Sequence, residues 1–129
     1  MTERQLFEKM KAGLPMVEWL RVENAVGAGM FDVNGCHDGV EFWVELKVDA
    51  HPKLRRAQVA WAMARYSHGA RLFVLTHHWL HTSLSIHRPP FNHFKPLSRG
   101  YVRLMNDAVH VETGIFDWKK ILNIFCENA

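Results

Sequence analysis

Residues 40–48 constrain this chain more than any other stretch. Val40, Phe42, Val44, Leu46 and Val48 alternate strictly with Glu41, Trp43, Glu45 and Lys47, which predicts a strand with one apolar face. Side chains two apart on a strand share a side of the sheet, so Glu45 and Lys47 project together while the even-numbered residues are buried behind them. Placing a carboxylate and an ammonium inside a packed sheet costs roughly several kcal/mol per ion unless each finds a partner. The pattern therefore calls for compensating groups close by.

The flanking segments predict what surrounds this strand. Thr2 and Gln5 have the reciprocal capping-box spacing. They open a helix striped by Leu6, Phe7 and Met10, which Gly13 and Pro15 end near residue 12. Residues 17–24 read as a strand, 25–30 as a bend, 31–34 as a short strand and 35–39 as turn material. His51-Pro52 breaks the central strand, and residues 54–68 follow a helical stripe through Leu54, Ala57, Trp61 and Ala64. Residues 71–76 form a nearly continuous apolar run, as a strand buried on both faces does, and 82–87 supply a hairpin partner. Residues 88–100 read as an irregular, proline-rich excursion, 101–105 and 109–112 as short strands, and 117–126 as a last helix. This order predicts one α/β domain over residues 1–129, a mixed central β-sheet flanked by helices.

Composition agrees with a packed domain. Of the 129 residues 48% are hydrophobic, enough for a sizeable core and against a disordered or collagen-like chain. No apolar run is long enough to span a membrane, and the polar start does not read as a secretory signal. Cys36 and Cys126 stand far apart with no CxxC pair, which argues against a disulfide framework and for a reducing, cytoplasmic setting. Lys and Arg outnumber Asp and Glu by 16 to 13, and the net charge of +3 suits a polyanionic partner without proving one.

The compensating group for Glu45 and Lys47 is expected in Asp32, on the preceding short strand. Two carboxylates converging from adjacent strands suit one hard divalent cation, and Mg²⁺ favours one or two carboxylates, waters and substrate phosphate oxygens. Lys47 would then hold the attacking water or balance charge building on the phosphate. Glu41 shares the face but lies about 13 Å along the strand from Glu45, too far for the same ion. Gln58 occupies an apolar position of the second helix, so its amide should reach a partner. Glu3 lies one turn ahead of Leu6 and Phe7, on the core-facing side of the first helix.

Taken together, Phe31-Asp32, the thirteen-residue spacing and Glu45-Leu46-Lys47 resemble the PD-(D/E)XK nuclease superfamily. The resemblance extends to archaeal Holliday-junction resolvases and to small phage nucleases of the VRR-NUC group. Thr2-Glu-Arg-Gln-Leu-Phe-Glu-Lys-Met10 matches their x-E-R-x-L-x-x-x-L first helix, and Leu54-Arg-Arg-Ala-Gln58-Val-Ala-Trp61 resembles the L-x-x-x-Q-x-x-W helix of the phage nucleases. The segment around Arg21 resembles their basic strand and Gly-containing loop. The likeness covers residues 2–76. It implies a restriction-endonuclease-like fold and an Mg²⁺-dependent DNA endonuclease, with Mn²⁺ as a substitute. Branched DNA such as a Holliday junction would be the substrate, and a homodimer the working form. Asp32 and Glu45 would bind metal, Lys47 would orient water, Gln58 would support the site and Glu3 would supply the first-helix acid. Glu23 competes with Glu3 for that last role. The proline of the motif is Phe31 here.

Plainer readings stand beside these. Glu45 and Lys47 could form a solvated cross-strand face, and Glu3 could simply favour the positive end of its helix. Lys53, Arg55 and Arg56 could be an ordinary charged surface or could track a DNA backbone together with Arg21. The stretch 88–99 reads as a surface excursion, though Arg88, Lys95 and Arg99 with Phe91, His93 and Phe94 could contact nucleic acid by charge and stacking. His77, His78 and His81 have spacings that zinc would need on a helix, yet they follow a strand. Two further functions compete with a junction nuclease: a nuclease-derived fold that binds nucleic acid without cutting, and a sequence-specific restriction-type endonuclease.

Overall fold

The computed structural model describes residues 1–22, 29–78, 80 and 82–128. Its centre is the predicted strand, β3 (Val40–Lys47), inside a six-stranded sheet. In chain order the elements are α1 (Glu3–Gly13), β1 (Glu18–Arg21), β2 (Val33–His37), β3, β4 (Lys53–Arg55), α2 (Arg56–Ser67), β5 (Leu72–His78), β6 (Ser83–His87), β7 (Phe94–Pro96), β8 (Tyr101–Leu104), β9 (His110–Thr113) and α3 (Trp118–Cys126). The large sheet runs β1-β2-β3-β5-β6-β9, with β3 and β5 parallel and every other neighbour antiparallel. A second sheet, β4-β8-β7, is antiparallel throughout. Among the described residues no helix is long and apolar enough to cross a membrane.

Strand alternation sorts two cores onto the two faces of the large sheet. Phe42, Val44 and Leu46 of β3 and Phe73 and Leu75 of β5 pack against Leu6, Phe7 and Met10 of α1 and Ile121, Leu122 and Phe125 of α3. On the opposite face Leu72 and Val74 of β5 join Phe31, Ala62 of α2, and Leu54, Val102 and Leu104 of the small sheet. The continuous apolar run of β5 follows from this, because both of its faces are covered.

Local signals explain the element ends. Thr2 Oγ1 accepts from the Gln5 backbone N–H at 3.1 Å and Gln5 Oε1 accepts from the Thr2 N–H at 2.8 Å, the complete capping box. The β2–β3 turn is only Asp38-Gly39, at φ 53° and 80°, the left-handed pair that a tight hairpin turn needs. Residues 35–37, expected in a turn, instead extend β2. Gly35 is there because the Phe42 ring lies over it: a Cβ would sit 2.4 Å from that ring and 2.9 Å from Trp19. Leu54 belongs to β4 and not to the helix, paired with Val102. The buried side of α2 is Gln58 and Ala62, one position round from the expected stripe. The excursion at 88–100 contains β7, which pairs with β8.

Candidate active site

The Asp38-Gly39 turn sets the β2–β3 register, pairing Val33 with Val44. One step further along that register Asp32 lies across from Glu45, so both side chains belong to the face that carries α2. The Asp32 backbone N–H donates to Glu45 Oε1 at 3.3 Å, and the Asp32 carbonyl accepts from the Val22 N–H at 2.7 Å. Lys47 Nζ lies 3.2 Å from Glu45 Oε2. Glu45 is 2% exposed, whereas the Lys47 side chain retains 19% exposure and so opens toward solvent. Asp32, Glu45 and Lys47 thus meet as the spacing predicted.

Aromatic side chains pack on the same side of the sheet. Phe31 and Trp61 are 5.4 Å apart between ring centroids, and Trp43 meets Trp61 edge-on at 5.6 Å. Burial pushes the Glu45 carboxyl above the usual carboxylate range; the Lys47 ammonium pulls it back, and the Asp32 charge pushes it further up. A buried carboxylate facing a second carboxylate is relieved by any cation that reaches both. The donor set therefore fits a hard divalent ion, and Asp32 and Glu45 are the residues that could hold one. Among the described residues no group of three or more His, Cys, Asp or Glu forms a metal-type cluster, so the pair stands without a third acid.

The remaining expected residues are placed less uniformly. Gln58 is buried at the third position of α2, and its Oε1 accepts from the Arg55 backbone N–H at 2.9 Å. Its amide thus ties the start of α2 to β4. Glu3 opens α1, the helix packed on the opposite face of the sheet. Glu23 lies outside the described residues. Arg21 pairs with Val33 and holds its guanidinium 5.5 Å from the centre of the Phe7 ring, on the α1 side and away from Glu45. Lys53, Arg55 and Arg56 are exposed where β4 passes into α2, and Lys53 Nζ sits 4.7 Å over the Tyr101 ring. His77 and His78 point to opposite faces of β5, which removes a shared zinc, and His81 lies outside the described residues.

One neighbour of the site was not anticipated. Thr76, paired with Lys47 on the parallel strand β5, accepts from the Asp49 backbone N–H at 3.3 Å and donates to the Asp49 carbonyl. It clamps the turn that follows Lys47. A hydroxyl at the end of an otherwise apolar run was the signal for it.

No protein-family model and no curated protein sequence matches the chain. Solved structures do. One is Hjc of Archaeoglobus fulgidus, a Holliday junction resolvase from an archaeal hyperthermophile, with a TM-score of 0.51 and 12% sequence identity over 78% of this chain and 85% of that one. The fold is restriction-endonuclease-like. At this identity the likeness speaks for architecture: a central mixed sheet flanked, among the described residues, by three helices.

Proposed function

We propose that this chain is a divalent-metal-dependent DNA endonuclease that hydrolyses phosphodiester bonds and prefers branched DNA such as a four-way junction. The observation that carries the reading is the facing pair Asp32 and Glu45 with Lys47 on Glu45, set on a resolvase-like fold. Mg²⁺ or Mn²⁺ held by the two carboxylates would polarise the phosphate and acidify a bound water. Lys47, more accessible than Glu45, orients the water that attacks phosphorus as one P–O ester bond breaks. Gln58 supports the site by fixing the start of α2, and Thr76 by holding the turn beyond Lys47. Glu3 enters this reading through its motif alone. Two cuts on one junction require two sites, so a homodimer is the working unit, in a cytoplasmic setting.

The test is cleavage of labelled four-way junction and linear duplex with Mg²⁺, Mn²⁺ or EDTA. Metal-dependent junction cutting, reduced at least about a hundredfold in Glu45→Gln and Lys47→Ala with DNA binding retained, is expected. Binding without cleavage under every metal condition would leave a nucleic-acid-binding protein on a nuclease fold. Junctions of two unrelated sequences, cut at the same place relative to the branch, separate a resolvase from a restriction-type enzyme.

A further inference from the structure

The small sheet carries a feature that the cleavage site does not use. Val102, Leu104 and Leu54 face inward, so the alternate residues of β4 and β8 face out. On that outer face Lys95 of β7 lies directly across from Arg103 of β8, and Arg103 directly across from Lys53 of β4. Three cations in one cross-strand row repel one another and weaken the sheet. Arg103 is answered by Asp49 Oδ2 at 3.2 Å and by the His51 carbonyl at 2.7 Å. Among the described residues no carboxylate pairs with Lys53, Arg55, Lys95 or Arg99. Arg99, in the β7–β8 turn, shares a shallow depression with Lys53, Tyr101 and Arg103.

We infer that the outer face of β4-β8-β7 is a phosphate-backbone platform that grips duplex DNA beside the cleavage site. Strands about 4.8 Å apart spread the Lys95–Arg103–Lys53 row over roughly 10 Å, and a DNA strand places a phosphate about every 3.4 Å along the axis. Phosphates wind round the axis, so their true spacing is wider than this rise and the row comes within reach of about two of them; its two ends, Lys95 and Lys53, which no carboxylate answers among the described residues, are stabilised by such a polyanion. β4 continues directly into α2, whose Gln58 is bonded to it, so DNA held here lies against the element bordering Asp32 and Glu45. The inference rests on the reading of DNA as substrate.

The experiment is fluorescence anisotropy of labelled duplex in EDTA, from about 50 to 200 mM NaCl, on wild type and on Lys53→Gln/Lys95→Gln/Arg99→Gly. Removing three phosphate contacts should cut the slope of log K against log salt by about 2 to 3 and weaken binding about a hundredfold near 0.1 M salt. Arg4→Ala/Lys9→Ala/Lys119→Ala loses the same charge from α1 and α3 and should keep the slope within about one unit. Thermal melts check folding; if the first triple variant melts early, Lys95→Gln alone should still lower the slope by about 0.9. An unchanged slope, an equal loss in the control variant, no DNA binding, or tighter binding of an RNA duplex of the same sequence overturns the platform. Mg²⁺-dependent cutting by wild type is scored separately, so failed cleavage with an intact salt response counts against the nuclease alone.

Discussion

The two faces of the large sheet are built for different ends. The α1/α3 face is dry: Phe42 packs against Phe125 at 5.0 Å and against Trp19 at 5.7 Å, and His77 is the only buried polar or charged residue among the described residues on that side. The α2 face holds Glu45, Gln58, Thr76 and His87 within its smaller apolar cluster. A chain seeking stability alone would have no reason for this asymmetry, since each buried polar group costs free energy unless it is paired. Glu45 makes the point most sharply, as its environment disfavours the very charge that a metal site requires. The dry face stabilises the fold, and the wet face carries the cost of burying polar groups, as the proposed site would require.

The contrast is broken most directly on the dry side. Phe42→Ala should cost about 3–5 kcal/mol, read as a lower urea midpoint, while cleavage per folded molecule stays unchanged. A drop in the activity of the folded fraction would show instead that the two faces are coupled. On the wet face the sign reverses. Glu45→Gln keeps an acceptor for the Asp32 N–H and removes a desolvated charge, so it should gain about 1 kcal/mol, or roughly 3–5 °C in Tm, while abolishing metal-dependent cutting. A lower Tm would mean that the Lys47 pair outweighs the burial penalty.

Much of this division was legible in the chain. The strict alternation at residues 40–48 separated the faces, and the apolar run after Arg71 announced a strand covered on both sides. Asp38-Gly39 even encodes the register: a two-residue turn there puts Asp32 across from Glu45 by counting outward. What escaped was non-local. Gly35 reads as a turn residue because its partners, Phe42 and Trp19, are distant in sequence. The β4-β8-β7 sheet is made of three- and four-residue strands, too short to show a period, and Pro96 disguises one of them. Leu54 looked helical because a strand leading straight into a helix extends the apolar stripe. Gln58 looked like a site residue for its burial, and its observed bond is a helix-start bond.

That bond gives a smaller effect. Gln58→Leu fits the apolar surroundings but orphans the Arg55 N–H, and should cost about 1 kcal/mol in thermal melts. Gln58→Glu restores the acceptor and should recover that stability. If cleavage follows stability through both variants, Gln58 acts by placing α2; if Gln58→Glu is stable and inactive, the amide serves the site itself.

A further effect is in pH, where the buried histidines and Glu45 oppose one another. Burial lowers the pKa of His77 and of His87, and each has a buried Nδ1 without a hydrogen-bond partner among the described residues. The unfolded chain takes up protons as pH falls through 6.5 while the folded chain resists, so this contribution to stability is full above 6.5 and lost below it. Glu45 runs the other way: its raised pKa makes the folded state hold the proton more tightly, so its contribution is lost as pH rises from 4.5 through the folded value. Acidification from pH 7 should therefore destabilise the protein by at most about 1.4 kcal/mol per pH unit per histidine, partly offset by Glu45. His77→Leu, on the dry face, should flatten the fall in Tm, and Glu45→Gln should steepen it by removing the offset. Melts from pH 7.5 to 5 read both, and parallel curves for all three proteins would mean that neither face titrates as its burial requires.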